Sequence, residues 1–510
     1  MNHFSSKYRS LTGSNLIFYG FLLVYFMLLL YLCSQLNLWV DETFTLDTTS
    51  RGFLDVIRQS YKFEGQPPVY FILFSLWRNI LPGIFFAKLF SVLCIGLSAW
   101  FFYRLVKLVS GNENSRWMLV VFLLNPFTIW AALEMRTYSL LILFSILSIN
   151  FFFQYYLSQR KKYLYLFLAI SLIGLYTQYF FALQISALAI SLLIFKGWKS
   201  FFELCLYLVP VVLLFLPNLF FIREQLTIIQ PHNLIYSTVQ KIIIVLHSPQ
   251  NFMLALQLIP LDKWLRWVIK ISFLLAILFA YYKLYKTRDF TSNVLFERLN
   301  FILVAVATLL VLFCLMVAIS GILYADRYMA VAFPFFALLF ILFKTYSSSL
   351  RTFIYSTISI YFILLLMSFY QYPVKKIDYK LIVKYVSSIE HKNEPILFYS
   401  NSLSLTFRYY YPGHNAIQPL PHEVHFDSSF MESLKDTLEL ERLMKKIPTG
   451  SGSYLFISDP KASSYVVELS RKAVDSFLNN HYHIVLDTLF FGRSREFPLR
   501  IRRLEKPISK

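Results

Sequence analysis

The first apolar run of the chain, NLIFYGFLLVYFMLLLYLCSQLNLWVDE at residues 15–42, ends on two adjacent acids, Asp41 and Glu42. A helix needs about 20 apolar residues to cross the hydrocarbon core of a bilayer, and residues 15–36 supply them. Carboxylates are costly in hydrocarbon and stay where water, a partner or a function holds them. The stretch therefore predicts a transmembrane helix with an acidic pair at its mouth.

Composition places the chain in the helical membrane class. Of its 510 residues, 57% are hydrophobic, 15% are charged and only 14 are glycine. Long apolar runs recur where a β-barrel would show short alternating strands, so a helical bundle is expected. The aromatic content of 19% exceeds what interfacial belts use, and part of it can line a groove for a hydrocarbon chain. The four cysteines lie inside apolar runs, with no spacing that indicates a disulfide framework.

Eleven apolar runs predict eleven transmembrane helices. They are residues 15–36, 84–106, 117–134, 137–157, 163–178, 179–195, 200–221, 264–285, 299–321, 328–344 and 352–372. With a cytoplasmic N-terminus, every inner loop is basic, as the positive-inside rule requires. The net charge of +20 is therefore a topology signal, and binding of nucleic acid is not expected.

One further apolar segment is too short to be a span. As a helix, residues 67–81 would reach only about 22 Å. Counting them as a span would invert every later loop, so we predict a helix in or on the outer leaflet. The first outer loop then covers residues 37–83.

The tail differs in character from the rest of the chain. We predict a transmembrane catalytic domain at residues 1–372 and an extracytoplasmic domain at residues 373–510. In the tail, polar linkers separate helical and strand-like runs, which is typical of a small α/β domain. The fold class is thus an α-helical polytopic membrane protein with juxtamembrane helices and a C-terminal α/β domain.

The acidic pair is the first candidate for chemistry. On a helix, Asp41 and Glu42 point about 100° apart, so only one of them can face a given cavity. A carboxylate that is partly removed from water has a raised pKa and is a useful base toward a hydroxyl group. The alternative is that both acids simply mark the water interface.

Two arginines are candidates for binding phosphate. Arg136 lies in the sequence EMRTY and Arg327 in the sequence YADRY, both at predicted outer ends of spans. The positive-inside rule depletes that side of arginine, and guanidinium groups hold phosphate through paired hydrogen bonds. The alternative is a salt bridge to the nearby Glu134 or Asp326.

The first outer loop also carries the sequence EGQPPVY, from Glu64 to Tyr70. Its two prolines can start the leaflet helix rigidly and place Gln66 and Tyr70 at its entrance. Ordinary helix initiation explains the same pattern. Elsewhere, His422 and His425 give only a weak metal signal, and the chain has no glycine-rich nucleotide cradle.

These motifs, in this order along this topology, resemble the GT-C superfamily of membrane glycosyltransferases. The resemblance is to bacterial relatives of the protein O-mannosyltransferases (glycosyltransferase family 39) and of the lipid A aminoarabinose transferase. It covers residues 15–345 and extends only loosely to the tail. It implies location in the bacterial cytoplasmic membrane and transfer of a sugar from a polyprenyl-phosphate carrier to a hydroxyl group on the outer side.

The resemblance also implies roles for particular residues. Asp41 would take the proton of the acceptor during an inverting attack, and Glu42 would orient that acceptor. Arg327 would neutralise the leaving phosphate, with Arg136 as a helper. The remaining residues of these motifs would contact substrate: Tyr328, Tyr138, Gln66, Tyr70 and Glu64.

Several questions stay open at this point. Relatives commonly carry Lys, His or Asn where this chain has Gln66, which can form hydrogen bonds but supplies no charge. No cofactor is expected, although a carboxylate pair can hold a divalent ion. The acceptor can be a protein, a lipid or a glycan. A flippase of lipid-linked sugars and a glycan polymerase or ligase are the alternative functions.

Overall fold

The computed structural model describes most of the chain and is predominantly helical. It covers residues 13–111, 115–229, 237–259, 261–286, 290–320, 326–372, 374–424, 434–448, 452–459, 471–492 and 498–505. The helices before the tail are α1 (Gly13–Gln35), α2 (Val40–Thr48), α3 (Phe53–Lys62), α4 (Val69–Arg78), α5 (Ile84–Ser110), α6 (Ser115–Leu124), α7 (Pro126–Leu133), α8 (Tyr138–Ser158), α9 (Lys161–Leu175), α10 (Phe181–Phe215), α11 (Pro217–Ile229), α12 (Thr238–Leu254), α13 (Lys263–Lys286), α14 (Phe290–Ser320), α15 (Phe333–Leu339) and α16 (Ser348–Phe369). Within these ranges, short 3-10 helices occur at Leu256–Leu258, Asp326–Met329 and Phe340–Thr345.

The chain is an integral membrane protein. Within the described residues, seven helices are long and apolar enough to span a bilayer: α1, α5, α8, α10, α13, α14 and α16. An eighth span is obtained if the bent pair α6 and α7 is counted as one. The predicted number of eleven is therefore not confirmed.

The structure shows why several predicted spans are not separate helices long enough to cross a bilayer. Helix α9 has only 15 residues, and the run at 328–344 is divided between α15 and the 3-10 helices beside it. The runs at 179–195 and 200–221 are joined in α10, which has a non-helical residue at Gly197 with φ of 78°. Glycine tolerates this positive φ because it has no Cβ.

The bend between α6 and α7 positions the loop that follows. The two helices meet at 58° around Asn125. The Asn125 side chain accepts a hydrogen bond from the Phe127 amide (2.9 Å) and so caps α7, while Pro126 occupies the first helical turn. The same side chain donates to the carbonyl of Phe252 (2.8 Å), which ties α7 to the end of α12.

The segment predicted as the first outer loop, residues 37–83, contains three short helices, α2, α3 and α4. The predicted helix at 67–81 is present as α4, which directly follows the Pro67-Pro68 pair. Helix α4 packs its aromatic side chains inward, whereas the buried face of α3 is partly polar and its Phe53 and Leu54 are exposed. Arg78 at the end of α4 reaches back to α2, where it donates to the carbonyl of Leu46 and to the Thr49 hydroxyl, both at 2.6 Å.

The tail folds as the predicted α/β unit around a five-stranded sheet. Its helices are α17 (Tyr379–Ile389), α18 (Ser402–Arg408), α19 (Thr437–Lys446) and α20 (Arg471–His481), and its strands are β1 (Ile396–Tyr399), β2 (Ile417–Pro419), β3 (Ser453–Ser458), β4 (His483–Phe491) and β5 (Pro498–Glu505). The strand order is β2-β1-β3-β5-β4, with parallel pairing of β1 to β2 and β3 and antiparallel pairing of β5 to β3 and β4. Strands β1 and β3 are buried along their whole length, because α17 and α18 cover one face and α19 and α20 cover the other.

The tail packs directly on the first outer loop. The Asn37 side chain accepts a hydrogen bond from the Lys375 amide (3.0 Å) and donates to the carbonyl of Ile377. The hydroxyl groups of Thr43 in α2 and Thr406 in α18 are 3.1 Å apart. This packing brings the start of the tail against the acidic pair.

Candidate active site

Helix α2 sets the geometry of the acidic pair. It begins after Trp39, whose backbone amide donates to the Glu42 carboxylate (3.3 Å) in a capping arrangement. Asp41 and Glu42 therefore both lie in the first turn but on different faces. The Asp41 side chain is 26% exposed, whereas the Glu42 side chain is fully buried. Only Asp41 is accessible to a substrate.

Asp41 is paired with Arg327, which comes from a distant part of the sequence. A terminal guanidinium nitrogen of Arg327 lies 3.2 Å from Asp41 Oδ2. The guanidinium carbon also lies 5.7 Å from the ring centre of Tyr328. Burial alone would lower the pKa of Arg327, but Tyr138 and Asp41 outweigh burial and raise it. Arg327 is thus a fixed positive charge beside the accessible carboxylate.

A cavity of about 260 Å³ extends from Arg327 between α7, α12 and α16. Apart from Arg327, its walls are mainly aromatic and aliphatic. The other lining residues are Pro126, Phe127, Trp130, Asn251, Phe252, Ala255, Leu258, Leu366, Phe369 and Tyr370. An apolar cavity with one cation in its wall suits a ligand with a hydrocarbon part and an anionic head.

Glu42 belongs to a sealed charge cluster beneath the accessible acid. Its carboxylate accepts hydrogen bonds from the Met135 amide (3.0 Å) and from the ammonium of Lys375. The same ammonium lies 3.4 Å from Glu134, which also accepts from the Trp39 indole (2.6 Å). Burial alone would lower the pKa of Lys375, but the two glutamates outweigh burial and raise it.

Arg136 is sealed in a second ion pair. It donates to the Glu64 carboxylate (2.7 Å), to the Thr45 hydroxyl (2.8 Å) and to the Asp41 carbonyl (3.2 Å). Burial raises the pKa of Glu64, and Arg136 offsets this only in part. The Arg136 partner is therefore Glu64 and not the adjacent Glu134, and the pair holds α2 against the loop.

The other predicted contact residues lie around these charges with different exposure. Tyr138 is buried, with its ring 4.9 Å from Trp130 of the cavity wall. Tyr70 is buried among the aromatic rings of Phe71 and Phe74. The buried side-chain oxygen of Gln66 has no hydrogen-bond partner among the described residues.

Lys376 is a site residue that the sequence interpretation missed. Its ammonium lies 3.6 Å from the ring centre of Trp39, directly before α2. Burial lowers the pKa of Lys376, and the negative charge of Asp41 offsets part of this decrease. A signal was present in the sequence, because Lys375 and Lys376 directly follow the last apolar run on its predicted outer side. The same argument singled out Arg136 and Arg327.

Possible metal ligands are few in the part of the chain that the structure describes. No group of three or more His, Cys, Asp or Glu side chains there is arranged to hold a metal ion. His422 is half-buried, and its Nδ1 lies 2.6 Å from the carbonyl oxygen of the neighbouring Glu423. His425, its partner in the weak sequence signal, lies outside the described residues.

Comparison with known proteins identifies the fold. The chain is similar to the apo crystal structure of ArnT from Cupriavidus metallidurans, a lipid A aminoarabinose transferase. The similarity covers 96% of this chain and 97% of the ArnT chain, with a TM-score of 0.55 and 11% sequence identity. The chain therefore shares the overall fold of this structure. The same protein bound to undecaprenyl phosphate is similar over 96% of this chain and 98% of its own, with a TM-score of 0.43 and 13% identity. No protein-family profile matches the chain, and no curated protein sequence matches it.

The similarity confirms the predicted GT-C resemblance at the level of the fold. It extends through the tail, which the sequence resemblance covered only loosely. At 11% identity it assigns no role to any residue, so the roles below rest on the geometry of this chain.

Proposed function

We propose that this GT-C fold protein is a glycosyltransferase that moves a sugar from a polyprenyl-phosphate carrier to a hydroxyl acceptor. The observation that carries the proposal is the contact of Asp41 with Arg327 at the end of an apolar cavity. The cavity would take the part of the prenyl chain next to the phosphate. The phosphate would meet Arg327, and the sugar would lie beside Asp41.

In the proposed reaction, Asp41 is the general base. Its carboxylate takes the proton of the acceptor hydroxyl while the acceptor oxygen attacks the anomeric carbon. The bond from that carbon to the phosphate oxygen breaks, and its electron pair leaves with the polyprenyl phosphate. Attack opposite the leaving group inverts the anomeric configuration.

Arg327 and Lys376 would stabilise the charge on the leaving phosphate. Arg327 has a buried Nε that has no hydrogen-bond partner among the described residues, so a donor remains for a phosphate oxygen. Lys376 adds a second positive charge on the same side of α2. Fixed cations aimed at developing negative charge are the largest source of rate in such sites.

Glu42 and Arg136 take positioning roles in this proposal, which revises two sequence-based roles. Glu42 is fully buried and saturated by Lys375 and the Met135 amide, so it orients α2 and does not contact the acceptor. Arg136 is held by Glu64 and Thr45, so it fixes the Asp41 backbone and does not help with phosphate. Glu64 is likewise a positioning residue.

We propose that the reaction needs no metal ion. The carboxylates that approach one another around α2 are each matched by a cation: Asp41 by Arg327, Glu42 and Glu134 by Lys375, and Glu64 by Arg136. A divalent ion would have to displace one of these cations.

The proposed setting is the cytoplasmic membrane of a bacterium. The N-terminus would be cytoplasmic, and the acceptor and the C-terminal α/β domain would lie on the outer side. This arrangement follows from the basic inner loops of the sequence.

The test is transfer from radiolabelled polyprenyl-phosphate sugars by the purified protein in liposomes. Asp41→Asn should lower the transfer rate by about 10²- to 10⁴-fold, because the base is lost while size and fold are kept. Asp47→Asn is the matched control on α2, since Asp47 pairs with the exposed Arg51 (3.1 Å), and it should leave transfer unchanged. Full activity of Asp41→Asn would contradict the proposed base. Movement of intact donor across the bilayer without transfer would support a flippase instead.

A further inference from the structure

A second cavity lies between α12 and the start of α13, away from Asp41. Its volume is about 450 Å³. It is lined by His247, Leu261, Lys263, Arg266, Trp267 and Lys270. None of these lining residues carries a carboxylate, and apart from Leu261 the wall is made of basic and aromatic side chains.

The basic side chains of this cavity are crowded. The Lys270 ammonium lies 3.4 Å from Nδ1 of His247 and 5.8 Å from the ring centre of Trp267. The His247 and Trp267 rings meet edge to face at 5.5 Å. An imidazole and an ammonium at this distance gain stability from an anion that accepts hydrogen bonds from both.

The spacing of the charges on α13 adds to the crowding. Lys263, Arg266 and Lys270 are three and four residues apart, which places them on one face of the helix. Like charges at this spacing repel one another. The guanidinium of Arg266 donates weakly to the Ile259 carbonyl (3.4 Å), and its buried Nε has no hydrogen-bond partner in the described part of the chain.

The position of the cavity indicates the kind of anion. The charges are at one end of α13, which is long and apolar enough to span a bilayer. Trp267 is 46% exposed beside them, and tryptophan is enriched at the boundary between hydrocarbon and water. Guanidinium and ammonium groups bind phosphate through charge-assisted hydrogen bonds, so basic side chains at this level suit the phosphate of an anionic lipid head group.

We infer that this cavity binds the phosphate head group of an anionic phospholipid at a site separate from the proposed donor site. The lipid tails would lie along the apolar surface of α13. On α12, His247 faces this cavity, whereas Asn251 and Phe252 one turn later line the cavity of Arg327. The two cavities are therefore neighbours along α12, about one helical turn apart.

The experiment is native mass spectrometry of the full-length protein released from vesicles that contain phosphatidylcholine and phosphatidylglycerol. The test variant is Lys263→Gln/Arg266→Gln/Lys270→Gln. The matched control is Lys384→Gln/Lys392→Gln/Lys472→Gln, three exposed lysines of the C-terminal domain. The test variant should retain at least about tenfold less phosphatidylglycerol than the wild type, and the control should retain the same amount.

A single variant and two further ligands test the proposed site independently. The single variant Lys263→Gln, at an exposed helix start, should fold normally and lose about threefold in phosphatidylglycerol retention. Equal retention of phosphatidylglycerol by the test and control triple variants would overturn the proposed site. Inorganic phosphate that binds the wild type as tightly as phosphatidylglycerol would overturn the assignment to a lipid, as would equal retention of phosphatidylcholine.

Discussion

The charges around α2 form an open region and a sealed region. In the open region, Asp41 and Arg327 meet at 3.2 Å with 26% and 35% of their side chains exposed. In the sealed region, Glu42 pairs with Lys375 at under a tenth exposure of either side chain. Adjacent residues of one helical turn thus lie in opposite surroundings.

The difference between the two regions shows which charged side chains can take part in a reaction. A carboxylate beside water and a cavity can exchange its partner for a substrate, whereas a sealed one is held by several hydrogen bonds. Removing one member of a buried pair leaves an uncompensated charge, which is far more costly than losing an exposed pair. The two regions should therefore respond differently to the same kind of substitution.

The largest expected effect is from Arg136→Gln in the sealed region. It leaves Glu64 buried without its cation, and we expect a loss of about 3–5 kcal/mol in the free energy of unfolding. Thermal unfolding in detergent measures this loss. Arg51→Gln, which breaks an exposed pair in the same loop, is the control and should cost under about 1 kcal/mol. Equal unfolding temperatures for the two variants would refute the distinction.

Lys375→Met should have the next largest effect on stability. Glu42 and Glu134 would then face each other without a cation, and we expect a loss of about 3 kcal/mol together with release of the tail from α2. Adding Glu42→Gln to this variant should recover part of the loss, because one buried charge is removed. Limited proteolysis at the junction near Lys375 reports the release. Lys380→Met, an exposed lysine that donates to the Gln35 carbonyl (3.0 Å), should have no such effect.

Arg327→Gln tests the open region. Loss of the exposed cation should leave the unfolding temperature nearly unchanged and weaken donor binding by about 10- to 100-fold, which corresponds to about 1.4–2.7 kcal/mol. The readout is the KM for the polyprenyl-phosphate sugar in the transfer assay. A loss of folded protein as large as that of Arg136→Gln would show that Arg327 is structural.

The smallest expected effect is a pH dependence of stability in the tail. There the buried Glu394 has a pKa that burial and hydrogen bonds shift in opposite directions. Burial alone would raise the pKa of Glu394, but hydrogen bonds from Arg503 (2.9 Å) and from Ser453 outweigh it and lower the pKa. Because the folded-state pKa lies below the unfolded one, the stabilisation is present above the unfolded pKa and is lost as pH falls through the folded one.

Hydrogen exchange of the β1 and β3 amides measures this dependence. We expect protection to fall as the pH drops from 6 toward about 3, and Glu394→Gln to remove most of the dependence at a cost of about 1–2 kcal/mol at neutral pH. A Glu394→Gln variant with an unchanged acid response would assign the effect to other groups.

Much of the fold was predictable because hydrophobic runs and their lengths are local properties. The residues of α1, α5, α13 and α16 were found within a few positions from apolar length alone. The α/β tail was found from its change in pattern. The count of eleven spans was not confirmed, because a break such as Gly197 and short helices such as α9 depend on packing.

The site was predictable only in part. Asp41 could be singled out as a carboxylate at the end of an apolar run and Arg327 as an arginine on the predicted outer side, and the structure brings them into contact. That Arg136 pairs with Glu64 could not be read from the sequence, because the nearest acid along the chain was Glu134. Lys376 was missed although the same topological argument applied to it.

The amino-acid sequence alone specifies the membrane class, the order of the long apolar helices and the acidic pair that follows the first of them, because these depend on apolar length and on the cost of charge in hydrocarbon. Only the tertiary structure decided which acid is accessible. Asp41 and Glu42 differ by one position, and their surroundings are set by residues 93 to 333 positions away, such as Met135 and Lys375. Contacts over that separation depend on how helices pack, which no local pattern encodes.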